Sequence, residues 1–173
     1  MVSRSAWVSL GLLVTLVIAV AGGYFTAWSN RPIVAFQLQP TLEHDYYSFL
    51  LPSSMMSFQF SAQNAGLTDI TINVTITAID ALISAKQNDP FRTTVTFYIF
   101  LQAKSTWASF IFYVKPNPKA SLFVISIVSV QGVDMSDPLT NFIVSRATFQ
   151  ASNRVQLTYV QDPNSPSTYD LYP

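Results

Sequence analysis

Cysteine is absent from the 173 residues, and His44 is the only histidine. With no thiol, disulfide scaffolds, iron–sulfur clusters, thiolate zinc sites, thiolate-bridged copper centres and thiol catalysis are excluded. One imidazole excludes a multi-histidine metal site built from a single chain. Cysteine usage normally hints at a redox compartment, and that clue is missing here. Glycine is scarce too. Gly11, Gly22, Gly23, Gly66 and Gly132 are too dispersed for a phosphate-cradling loop, and no Gly-x-Ser-x-Gly elbow occurs. Charge is the third shortage. Nine basic and nine acidic residues cancel and make up 10% of the chain, against about 25% in ordinary soluble domains. Such a balance draws the chain neither to nucleic acid nor to acidic lipid.

What remains is apolar: half the residues, with 14% aromatic. That is ample surface to bury, which argues against a disordered chain. The length suits one domain with an appendage. No charge occurs between Arg4 and Arg31, and residues 6–28, AWVSLGLLVTLVIAVAGGYFTAW, are apolar or small throughout. About 20 residues span a bilayer core as a helix, so this segment is long enough with some tilt. Trp7 stands near one end and Tyr24 and Trp28 near the other, as rings at two membrane interfaces do. Residues 1–31 therefore read as an N-terminal anchor in contact with lipid through 6–28. A cleavable secretory signal, with AVA at 19–21 as its cleavage site, is the alternative. Arg4 on one flank, and Arg31 followed by Glu43 and Asp45 on the other, predict a cytoplasmic N-terminus and an extracytoplasmic remainder at the plasma membrane.

After residue 32 the apolar period changes to two. The runs 33–39, 55–63, 70–78, 93–102, 106–115, 121–131, 141–150 and 154–160 alternate or are continuously apolar, with turn residues between them. The pair 55–63 and 70–78 around NAG (64–66) reads as two neighbouring strands joined by a turn. Residues 80–92 read as a short helix or loop. The domain is set at 32–161, and 162–173, rich in Pro and Ser, reads as a strap or a flexible tail. Seven or eight short strands predict an all-β, antiparallel sandwich preceded by one transmembrane helix.

Few residues offer chemistry. Glu43, His44, Asp45, Tyr46 and Tyr47 form the densest ionisable cluster, but neighbours in sequence point different ways, so the cluster reads as a polar loop. Asp134 and Asp137 in DMSD are the closest carboxylate pair, a weak calcium reading set against a solvated loop. Met55 and Met56 offer sulfur ligands, yet Met56 is in phase with the core. No catalytic residue, metal ligand or cofactor is expected. Asn73-Val74-Thr75 is an N-glycosylation acceptor on the polar side of its strand, or a chance match in a Thr-rich run. The middle strands are apolar on both faces, which requires cover on both. Tyr98, Phe100, Trp107, Ile111, Tyr113 and Phe123 are accordingly predicted as a face for other subunits, like or unlike, with cover from the same chain as the alternative.

Residues 58–78, FQFSAQNAGLTDITINVTITA, resemble Ig-like modules of prokaryotic, archaeal-type surface proteins: a strand, an Asn-x-Gly turn, then a strongly alternating strand. The resemblance covers about 20 residues and implies a fold. In layout the chain also resembles archaeal type IV pilins, with Arg4-Ser5 before Ala6 in place of a leader cleavage site, although that leader is very short. It is similar as well to the small subunit of archaeal thiosulfate:quinone oxidoreductases, whose redox centre these residues cannot supply. The chain as a whole reads as a non-catalytic structural or docking subunit of a membrane or cell-surface complex, with an accessory small subunit of a membrane quinone-linked oxidoreductase and a type IV pilin-like filament subunit as the alternatives.

Overall fold

The computed structural model describes residues 4–41, 46–48, 55–133, 147–152 and 154–172. The helix α1, Arg4–Ser29, stands clear of the rest, and its apolar side chains are exposed on every side, Leu12 at 69% and Phe25 at 72%. A helix apolar all round needs an apolar surrounding. Its two threonines bond within the helix: Thr15 Oγ1 donates to the Gly11 carbonyl and Thr26 Oγ1 to that of Gly22, each at 2.9 Å. The helix is long and apolar enough to cross a membrane.

Eleven strands follow among the described residues: β1 Ile33–Pro40, β2 Tyr46–Ser48, β3 Met56–Asn64, β4 Ile70–Ile79, β5 Ala81–Ser84, β6 Thr94–Leu101, β7 Ala108–Pro116, β8 Leu122–Gly132, β9 Thr148–Ala151, β10 Gln156–Asp162 and β11 Ser165–Tyr172. They form two sheets, ordered β5-β7-β3-β1-β9 and β2-β11-β10-β8-β4-β6. The all-β sandwich behind an apolar helix is as the residue pattern predicts. The eight predicted runs recur as β1, β3, β4, β6, β7, β8, β9 and β10, though 141–146 lie outside the described residues. The additional strands β2, β5 and β11 come from segments without a clear period.

Three expectations are corrected. Residues 162–172, set outside the domain as a strap or a flexible tail, belong to the second sheet, because β11 pairs with β10 on one side and β2 on the other. Of residues 80–92, expected as a short helix or loop, 81–84 form β5, paired with β7, and the remainder is loop. The runs around NAG are not sheet neighbours: β3 pairs with β1 and β7, whereas β4 pairs with β6 and β8. From β1 to β10 the described strands alternate between the sheets, and among them only β10 and β11 adjoin in both sequence and sheet. Alternation of polarity specifies an inward face, which an arch across the core satisfies as well as a hairpin does. One pairing is parallel, β1 with β9. Both strands leave the end where α1 joins, Thr148 N donating to the Pro32 carbonyl at 3.1 Å, so they run the same way.

The core lies between the sheets. Phe58 of β3 stacks on Phe112 of β7 at 5.8 Å and meets Tyr159 of β10 edge-on at 5.8 Å. Such aromatic pairs add to the free energy of burial alone. Tyr169 of β11 is buried and donates its hydroxyl hydrogen to the Ala120 carbonyl. Burial pushes that hydroxyl above its ordinary value of 10.0, so it remains a donor. At Asp80, φ is 54° in the single residue between β4 and β5, where the chain turns from one sheet into the other.

The end at which α1 enters, termed the base, is tightly built. Asn64, fully buried, accepts from Gly66 N at 3.0 Å and Ile33 N at 3.3 Å and donates from Nδ2 to the Thr68 carbonyl at 2.8 Å. Thr68 Oγ1 donates to the Asn30 carbonyl at 2.5 Å, and Arg31 Nε to Thr148 Oγ1 at 3.2 Å. A Cβ on Gly66 would collide with the Arg31 carbonyl oxygen and approach Pro32 Cα to 2.6 Å, so only glycine admits this approach.

Candidate functional site

Charge is nearly absent from the sheets themselves. No residue of β1, β3, β4, β5, β6, β8 or β9 is charged. On the outward side of the second sheet, β4 and β6 set Thr71 opposite Phe100, Asn73 opposite Tyr98, Thr75 opposite Thr96 and Thr77 opposite Thr94. The last pair shares a hydrogen bond of 3.3 Å between hydroxyls. Next to β4, Ser129 and Gln131 of β8 continue the same polar rows. The first sheet shows Gln and Ser outward, and Gln59 Nε2 donates to Ser61 Oγ at 2.8 Å and to Ser109 Oγ at 2.7 Å.

The six residues predicted as one partner face fall in three places. Tyr98 and Phe100 project from β6 on the second sheet, 68% and 60% exposed. Ile111 and Tyr113 of β7 face out from the first sheet, on the opposite side of the sandwich, with Trp107 just ahead of that strand. Phe123 belongs to no surface. It is fully buried and stacks on Tyr159 at 4.9 Å, with Tyr169 at 5.3 Å. The single face is thus corrected: β6 and β7 lie in different sheets, so their outward sides point apart, and β8 turns its odd positions inward near Phe123.

A second apolar area was not expected. Leu122 of β8 lies beside Val160 of β10, Val124 lies beside Ile79 of β4 and Thr158 of β10, and Thr158 lies beside Tyr172 of β11. Leu122, Val160, Ile79 and Tyr172 are all exposed. The signal was present, since β8 is apolar on both of its faces, but the neighbours from β10 and β11 could not be assigned before the sheet order was known. The second sheet therefore carries apolar ground at its base end, on Tyr98 and Phe100, and again at its far end, with hydroxyl side chains and the exposed Val128 of β8 between. Depletion of charge together with aromatic side chains is the composition of an interface centre.

Asn73 keeps its acceptor sequence but is half-buried in mid-strand between Tyr98 and Gln131, and its Oδ1 is covered, with no hydrogen-bond partner among the described residues. Met56 is buried in the core. Glu43, His44, Asp45, Met55's neighbours 51–54 and the Asp134–Asp137 pair lie outside the described residues, apart from Met55 itself. Among the described residues no three His, Asp or Glu side chains lie together as a metal site would require. A cleft of about 440 Å³ at the far end, lined by Asp80, Leu82, Lys115 and Asn117 among others, contains one carboxylate and one amine and no paired nucleophile and base. Comparison with protein-family models finds no match, and comparison with curated proteins finds none either.

Proposed function

We propose that the chain is a membrane-anchored docking subunit, held by α1 with its N-terminus in the cytoplasm and its sandwich outside, that binds another protein through the outer face of the second sheet. The observation that carries this reading is that face: exposed Tyr98, Phe100 and Leu122 on strands β6 and β8, which like β4 between them have no charge, continued by exposed Val160 and Tyr172 of β10 and β11, where Asp170 lies beside Val160. The long edge strand β6 adds to it, since an uncharged edge with open backbone groups is suited to receive a partner's strand. A glycan on Asn73 would stand beside Tyr98 and block docking there, so the two uses of this face exclude each other.

The test is purification from native membranes in mild detergent, with a photo-crosslinking side chain at Tyr98. A stoichiometric partner crosslinked at 98, and lost in Tyr98→Lys while the melting temperature is unchanged, is the expected result. A protein that stays monomeric and uncrosslinked refutes it. A multi-span partner would identify an accessory subunit of a membrane enzyme. Recovery as a polymer lacking residues 1–5 would identify a filament subunit instead. Intact mass on the same material reads the occupancy of Asn73.

A further inference from the structure

We infer that the base of the sandwich rests in the headgroup layer of the bilayer that α1 crosses, through Leu67, Trp107, Lys104 and Arg31. This rests on the anchoring proposed for α1.

The connection leaves little freedom. Residues 30–32 alone separate α1 from β1, and three residues reach roughly 10 Å at most. They are also fixed at both ends: Arg31 Nη1 donates to the Trp28 carbonyl at 2.9 Å, its guanidinium lies 4.3 Å above the Trp28 ring, and Asn30 and Arg31 are bonded to Thr68 and Thr148. Trp28 marks the interface by its ring, and each headgroup layer is about 5–7 Å thick, so the base begins where that layer is.

The base is built to suit it. The loops 65–69 and 102–107 form one platform: Lys104 N donates to the Gly66 carbonyl at 2.9 Å, Asn64 N to Ser105 Oγ at 3.0 Å, and Ala103 N to Asp69 Oδ1 at 2.7 Å. From this platform Leu67 is 50% exposed and Trp107 39% exposed. Lys104, held at φ 53°, is exposed beside them. One apolar side chain, Leu67, at the same end as an indole and two cations matches a headgroup layer, where rings and long basic side chains place their apolar parts inward and their polar ends outward. Asp69, the one described carboxylate of the platform, is engaged by a backbone N–H.

The cysteine-free chain permits a direct measurement. Spin labels are placed singly on Leu67→Cys, Lys104→Cys, Phe25→Cys in the helix and Leu82→Cys at the far end, in full-length protein in phosphatidylcholine–phosphatidylglycerol liposomes. Accessibility to oxygen and to a water-soluble nickel chelate is then compared. Labels at 67 and 104 are expected at a depth between the immersed 25 and the aqueous 82. If 67 and 104 match 82 while 25 is immersed, the sandwich stands off the bilayer and the inference falls, though the anchor stands. If 25 is also aqueous, the anchor reading fails with it. Labels at 67 and 104 closed to both reagents would mean that protein covers the base, which also overturns the inference.

Discussion

Gly66 and Asn64 hold the base together with almost no side chain between them. Asn64 satisfies the buried Gly66 N–H, whose loss would cost about 1–3 kcal/mol, together with the part-buried Ile33 N–H and Thr68 carbonyl. Both residues read as a turn in the sequence, and a turn is what they make. That the turn faces the helix junction depends on contacts with Arg31 and Pro32, more than thirty positions away. Phe123 is the opposite case. Its strand is apolar on both faces, so the sequence offers no means of telling its inward side from its outward side. Phe123→Ala removes a ring from a stacked core cluster and is expected to cost about 3–5 kcal/mol. Tyr98→Ala, at an exposed position, is expected to stay within about 0.5 kcal/mol. Denaturant melts of the two variants check this; equal losses would contradict the assignment.

At the scale of elements, the C-terminal segment is the clearest departure from its composition. Pro163 and Asn164 are the turn of a hairpin, with Asn164 N donating to Asp162 Oδ1 at 2.8 Å, and Pro166 precedes the residues that pair with β2. The Pro and Ser content that suggested a tail is turn chemistry at the start of β11. Tyr169 then contributes one of the largest buried side chains. Deletion of 163–173 is therefore expected to abolish cooperative unfolding, read by near-ultraviolet circular dichroism, whereas a loose tail would be removed without effect. The arches between sheets follow similar logic. Five residues, 65–69, can reach across the roughly 10 Å between stacked sheets, so β3 and β4 have no need to be hydrogen-bonded neighbours.

For the molecule as a whole, the helix and the sandwich differ in what they bury. The candidate membrane span Ser5–Ser29 has none of its most apolar window buried within the protein, so it adds no burial to the sandwich. A chain beginning at residue 30 is expected to fold with a melting temperature within a few degrees of the full-length protein in detergent. A large drop would show that α1 packs on the sandwich. The scarcity of charge, visible in the composition, becomes meaningful only on this scale. It leaves both sheets with outer faces of Thr, Ser, Gln, aromatic and aliphatic side chains, and among the described residues the charged ones stand mainly in loops.

The sequence by itself determined the local states: a membrane-length apolar helix, the alternating strands, the inward side of β4 and the turn at 64–66. Each is a matter of period or of backbone preference within a few residues. Only the tertiary structure decided which strands adjoin, that β6 and β7 turn their outward sides in opposite directions, that Phe123 is core, and that Ile79, Leu122, Val160 and Tyr172 share one surface. Those are facts of sheet order, and sheet order comes from packing two apolar faces together across loops, over distances that no local period records.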